Sequence, residues 1–300
     1  MKDFLSVSDF SKSELIELIQ TAIAMKNGED AIKNSYFLAL LFEKPSLRTR
    51  VSFEAAIKNL GGSSIFLSKE EVQIGKREEI KDVARTLSKM TDCIALRISS
   101  HADLKEFANF SSVPVINALS DLEHPCQALA DLMTIYEKFH DFENIQLTYL
   151  GDANNVSNSL ALASSMVGLS FIFCGPSDYS LSNEIVSQCK EFNKNSLVIT
   201  EDPKIALEEA DVVYTDVWAS MGDEDSIEKR KPIFLPYQLN NKLLSISKKD
   251  SLIMHCLPAK RENEITDEVI ESVNSIVFEQ AENRLWIQQA IINKLLLNKD

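Results

Sequence analysis

Short apolar runs punctuate this chain at regular intervals, separated by stretches whose apolar residues recur at helical spacing. In the first half the runs occupy residues 36–42, 64–67, 93–98 and 114–118. In the second half they occupy 146–150, 170–174, 197–200, 211–215, 251–254 and 276–278. All have strand length, and 36–42 is apolar throughout, as in strands covered on both faces. Helical patterns lie between most of them, as at 51–60, 80–90 and 155–167. This alternation predicts an α/β fold with parallel sheets and crossover helices. Ten strands exceed one tidy sheet in a chain of 300 residues, so the pattern predicts two doubly wound domains. A long helical pattern over 125–140 carries no strand signal and is expected to link them. A last helix over 283–297 is expected to pack back on the first domain.

Composition narrows the class. A hydrophobic content of 45% suffices for full cores, and 31 Lys and Arg against 45 Asp and Glu leave a net charge of −14. That acidity argues against nucleic acid or anionic membrane as the main partner. No run has the length of a membrane span, and the first residues lack the pattern of a signal peptide. Five cysteines, at 93, 126, 174, 189 and 256, are odd in number and scattered. They predict a reducing, cytoplasmic setting without a disulfide framework. The four histidines are dispersed, so no metal site is predicted. With no Walker loop and no Gly-x-Gly-x-x-Gly, no nucleotide cofactor is expected either.

In open parallel sheets ligands bind beyond the carboxyl ends of the strands, and the chemically distinctive residues fall there. Ser46-Leu-Arg-Thr-Arg50 stands between the first strand and a helix. Ser46 suits an N-cap. Arg48 and Arg50 oppose the helix dipole unless an anion is present, so together with Thr49 and the free amides they suggest a phosphate socket. Arg97 ends an apolar strand and reads equally as a salt-bridged residue or an anion clamp. His124-Pro-Cys-Gln127 opens the long helix, placing His124 and Gln127 at its mouth, as caps or as ligands. Asn154 and Asn155 follow the fifth run, as caps or as a grip on a small substrate. Asp216, before a glycine-containing turn, suits either a cap or an ammonium partner. His255-Cys-Leu-Pro258 invites a nucleophile reading, but adjacent strand residues point to opposite sides, so His255 need not activate Cys256. Arg284 by itself reads as a surface arginine.

Taken together these segments resemble the carbamoyltransferase family, and within it the ornithine branch. Ser46 to Arg50 and His124 to Gln127 match elements general to the family, as does the loop from Gln73 to Asp82. Asp216-Val-Trp-Ala-Ser-Met-Gly222, His255-Cys-Leu-Pro-Ala259 and Ala281-Glu-Asn-Arg-Leu285 match the ornithine branch. Leu47 stands where many members carry Thr. The resemblance implies a carbamoyl-phosphate-binding domain over 1–138, with the helix at 283–300 returning to it, and an ornithine-binding domain over 139–282. It implies transfer of the carbamoyl group from carbamoyl phosphate to the δ-amine of L-ornithine, giving L-citrulline and phosphate in arginine biosynthesis. Putrescine or N-acetylornithine as acceptor, or a non-catalytic carbamoyl-phosphate-binding relative, are the alternatives. The carbamoyl phosphate set is Ser46, Leu47, Arg48, Thr49, Gln73, Arg97, His124, Gln127, Cys256, Leu257 and Arg284, with Gln73 acting across subunits. The ornithine set is Asn155, Asp216, Ser220 and Met221. Arg97, His124, Asp216 and Cys256 are the implied catalytic residues. Neither metal nor cofactor is implied, and the expected assembly is a cytoplasmic homotrimer or a larger array of trimers.

Overall fold

The computed structural model describes residues 3–29, 33–219 and 227–297. Among these residues, nine strands form two all-parallel sheets. The strands are β1 Phe37–Phe42, β2 Ser63–Ser68, β3 Cys93–Arg97, β4 Val115–Leu119, β5 Gln146–Leu150, β6 Ser170–Cys174, β7 Leu197–Thr200, β8 Val212–Thr215 and β9 Leu252–Met254. The principal helices are α1 Lys12–Lys26, α2 Leu47–Asn59, α3 Ile80–Ser88, α4 His101–Phe110, α5 Pro125–Phe139, α6 Asn155–Val167, α7 Asn183–Phe192, α8 Ile227–Phe234 and α9 Val277–Leu297. The chain divides into two compact units. One comprises Met1–Met133 with Glu282–Asp300, and the other comprises Thr134–Ala281. The divisions fall inside α5 and α9, so both helices continue from one unit into the next.

In the first unit the sheet order is β2-β1-β3-β4. β1 and β3 are central and almost wholly buried, whereas edge strand β2 is only partly covered. The other edge is met by the N-terminal segment: the Phe4 amide donates to the Val115 carbonyl at 2.8 Å, and Asp3 accepts from the Val115 amide. The core of this unit includes Ala39, Leu41, Ile94, Leu96, Leu104 and Phe107. Burying each such Leu or Phe contributes about 1.5–3 kcal/mol.

In the second unit the order is β7-β6-β5-β8-β9. α6 is buried along nearly its whole length, which its Ala and Ser residues permit by taking little room. Asn154 caps its start by accepting from the Val156 and Ser157 amides, and Gly168 ends it at φ +93°. Packing is tightest between Gly151 and Gly175: a side chain at Gly175 would collide with the Gly151 carbonyl oxygen.

The two parallel sheets expected from the alternation are both present. The tenth run is not a strand. Ser275 makes a single bridge to Ile253, after which Val277 begins α9, six residues earlier than the pattern placed that helix. Ile276 and Val277 are buried but Phe278 is exposed, which follows a helical face rather than strand alternation. Replacing Gly175 with alanine is expected to destabilise the second unit by about 1–3 kcal/mol, the usual cost of overpacking. Denaturant unfolding would register this as a lower midpoint; an unchanged midpoint would contradict the close approach.

Candidate active site

Each sheet order reverses direction once, and the candidate residues gather at those reversals. In the first unit the chain runs from β1 out to β2 and then returns to the other side of β1, so the switch lies between β1 and β3. Ser46 to Arg50 follow β1, and Arg97 ends β3, at that crevice. In the second unit the switch lies between β5 and β8, where Asn154, Asn155 and Asp216 follow the two strands.

In the first unit Ser46 caps α2, its hydroxyl accepting from the Thr49 amide at 3.3 Å. Thr49 is fully buried, and its Oγ1 accepts from Arg284 Nη2 at 2.8 Å. A hydroxyl accepting there keeps its own hydrogen for another acceptor. Thus Arg284, which alone reads as a surface residue, is only 3% exposed and joins the α2 turn from α9. Arg97 is 6% exposed and His124 4%. The His124 imidazole is held well below the usual histidine value, first by burial and then by the Arg284 and Arg97 charges. A neutral imidazole beside two buried guanidinium groups at a helix N-terminus is a set of donors suited to a small anion.

Gln127 lies in the first turn of α5, 1% exposed. Its Nε2 donates to Asp131 Oδ1 at 2.8 Å, and its Oε1 finds no hydrogen-bond partner among the described residues. Leu47 is 73% exposed. Arg50 turns away: its guanidinium binds Glu54 at 2.8 Å and lies 3.9 Å from the Phe66 ring centroid. It is therefore committed elsewhere, and the two-arginine socket suggested by the motif is not formed by Arg48 and Arg50 together. Gln73 is exposed at φ +50°, with its amide folded back onto the Glu70 carbonyl at 3.3 Å. Burial raises the Cys126 thiol to about 12, consistent with packing rather than chemistry.

In the second unit the buried Asp216 carboxylate is held from two sides. Asn154 Nδ2 donates to Oδ2 at 2.8 Å, and the Cys256 thiol donates to Oδ1 at 3.1 Å. Asn154 thereby joins two jobs, cap of α6 and partner of Asp216, while Asn155 is the first helical residue and half-buried. His255 does not activate Cys256. Its Nδ1 accepts from the Leu257 amide at 2.9 Å, so Nε2 carries the hydrogen and donates to buried Glu264 at 3.1 Å. Leu257 is held at φ +57°, a strained conformation of the kind that clusters at functional sites. Ser220 and Met221 lie outside the described residues. Arg230 donates to Asp152 and, at 2.7 Å, to the Trp218 carbonyl.

Among the described residues, Asp216, His255 and Cys256 form the one group with metal-ligand chemistry, their ligand atoms within 4.8 Å of one another. Both His255 nitrogens are already engaged, so a metal there would have to displace a hydrogen bond. The arrangement suits an amine: a carboxylate oriented by an amide and a thiol. Asn154 and Asp131 are the functional candidates that motif reading underweights. Asp131 could have been found from its spacing of four residues from Gln127 on one helix.

Comparison with known proteins accords with this geometry. Residues 2–137 match the carbamoyl-P binding domain of aspartate/ornithine carbamoyltransferase, and residues 143–295 match its Asp/Orn binding domain. An ornithine carbamoyltransferase of Archaeoglobus fulgidus is 49% identical, with 99% of this chain and 98% of that protein covered. One from Bacillus cereus is 47% identical, with 99% and 95% covered. Among solved structures, the ornithine carbamoyltransferase from Pyrococcus furiosus superposes with a TM-score of 0.96 at 41% identity, over 100% of this chain and 98% of that one. The anabolic enzyme from Campylobacter jejuni gives 0.94 at 36% identity, over the whole of both chains. With both family domains matched in order over nearly its whole length, this chain belongs to the aspartate/ornithine carbamoyltransferase family.

Proposed function

We propose that this chain transfers the carbamoyl group of carbamoyl phosphate to the δ-amine of L-ornithine, giving L-citrulline and phosphate in arginine biosynthesis. The observation that carries the reading is the buried cationic cluster of Arg97 and Arg284 around a neutral His124. The amine-suited carboxylate Asp216 supports the choice of acceptor.

Carbamoyl phosphate is a mixed anhydride, so its transfer requires orientation and charge stabilisation rather than a covalent intermediate. Ser46, the Leu47 backbone, Arg48, Thr49 and Arg97 would hold the phosphate, with Gln73 supplied by a neighbouring subunit. His124, Gln127, Arg284 and the Cys256 and Leu257 backbone would surround the carbamoyl group. Asn155, Asp216, Ser220 and Met221 would bind ornithine. As the deprotonated δ-amine attacks, charge builds on the carbonyl oxygen. Arg97, the Thr49 hydroxyl and the neutral His124 ring would stabilise it, and the departing phosphate would accept the amine's proton. Cys256 would act through the Asp216 carboxylate it touches, not as a nucleophile.

Among the described residues, no helix is long and apolar enough to cross a membrane. A cytoplasmic homotrimer, or a larger assembly of trimers, completes the proposal, since Gln73 on the surface of one subunit is then available to the next.

Product formation assayed in parallel with ornithine, putrescine, N-acetylornithine and aspartate should give citrulline from ornithine and little from the others. Turnover with a different amine would overturn the acceptor assignment, and failure with all four would leave only a carbamoyl-phosphate-binding role. His124→Ala, which removes the ring donor, should lower kcat by about 10²-fold, the usual loss for one such donor. Because the folded ring is already neutral where an ordinary histidine would be taking up its proton, near pH 6.5, the acid side of the pH–rate profile should keep its shape in this variant. Loss of an inflection near that pH would show that His124 titrates there.

A further inference from the structure

The Gln127–Asp131 pair carries a consequence for substrate choice that rests on the carbamoyl phosphate reading above. Both side chains are buried, at 1% and 0% exposure, and Gln127 Nε2 donates to Asp131 Oδ1 at 2.8 Å. A carboxylate offers only acceptors. It therefore draws the amino end of the Gln127 amide toward itself, which turns Oε1 the opposite way. That oxygen is buried and lacks a hydrogen-bond partner among the described residues. Such an acceptor is satisfied when a ligand brings a donor to it. Carbamoyl phosphate has an amino group where acetyl phosphate has a methyl group, and only the amino group can donate.

We propose that Asp131 is a positioning residue that locks the Gln127 amide with Oε1 presented to the substrate's amino group, and so selects carbamoyl over acetyl phosphate. Without an acceptor at 131, holding Oε1 toward the ligand would leave the Gln127 amino hydrogens buried and unmatched. The amide would instead turn its amino end toward the ligand, which suits a methyl group no worse than an amino group.

The test compares KM for carbamoyl phosphate with the inhibition constants of acetyl phosphate and inorganic phosphate. In Asp131→Leu, KM for carbamoyl phosphate should rise about ten-fold, as expected for one buried donor left unmatched. The two inhibition constants should stay near the wild-type values. Asp131→Asn keeps an acceptor oxygen and should recover most of the discrimination. Gln127→Met removes the amide itself and should lose the same discrimination, which keeps the test decisive if Asp131→Leu does not fold. A parallel weakening of all three ligands in Asp131→Leu, or unchanged discrimination in Gln127→Met, would overturn the proposal. If the unmodified protein does not use carbamoyl phosphate at all, the functional reading fails instead, and that outcome is distinct because it appears before any substitution.

Discussion

The hydrogen bond from Arg284 to Thr49 is the constraint on which the first unit's chemistry depends. It ties the final helix to the first turn of α2 across 235 positions of sequence. It buries one guanidinium at a helix N-terminus, where the dipole makes a cation unwelcome in the absence of an anion. Burial first, and then the Arg284 and Arg97 charges, hold the His124 imidazole well below the usual histidine value. This buried pair of guanidinium groups stands against a net charge of −14 for the whole chain.

The second unit solves a different electrostatic problem with a five-stranded parallel sheet that also reverses direction once. At its switch point the dominant group is a carboxylate rather than a guanidinium, and the donors around it are an amide and a thiol. Neither donor carries a formal charge. One fold plan, used twice, thus carries groups of opposite charge at its two switch points.

Much of this was legible in the sequence because strand ends are where function accumulates in parallel sheets. The strands at 146–150, 170–174 and 197–200 and the helix at 155–167 are located to the residue; Gly151, Gly175 and Gly168 mark where three of these four elements stop. The run at 276–278 misled because three apolar residues fit a helix start as well as a strand, and only the exposure of Phe278 decides. The roles of Arg50 and Arg284 were also invisible locally. One is drawn off by Glu54 and Phe66, and the other is drawn in by Thr49; both outcomes depend on partners that periodicity does not identify. His255 illustrates the same limit: its neighbour Cys256 suggested a dyad, but the ring's hydrogen bonds go to Leu257 and Glu264.

The two units also differ in how the chain supplies them. The second is drawn from one continuous stretch, Thr134–Ala281, whereas the first needs both the opening part of the chain and its last helix. During synthesis, therefore, every residue of the amine-suited unit has left the ribosome before the anion socket receives Arg284. A polypeptide cut before α9 lacks the guanidinium that bonds Thr49 and that adds to the effect of burial on His124. The buried cluster of the first unit therefore draws on sequence from both sides of the second, so no single continuous stretch of the chain carries it whole.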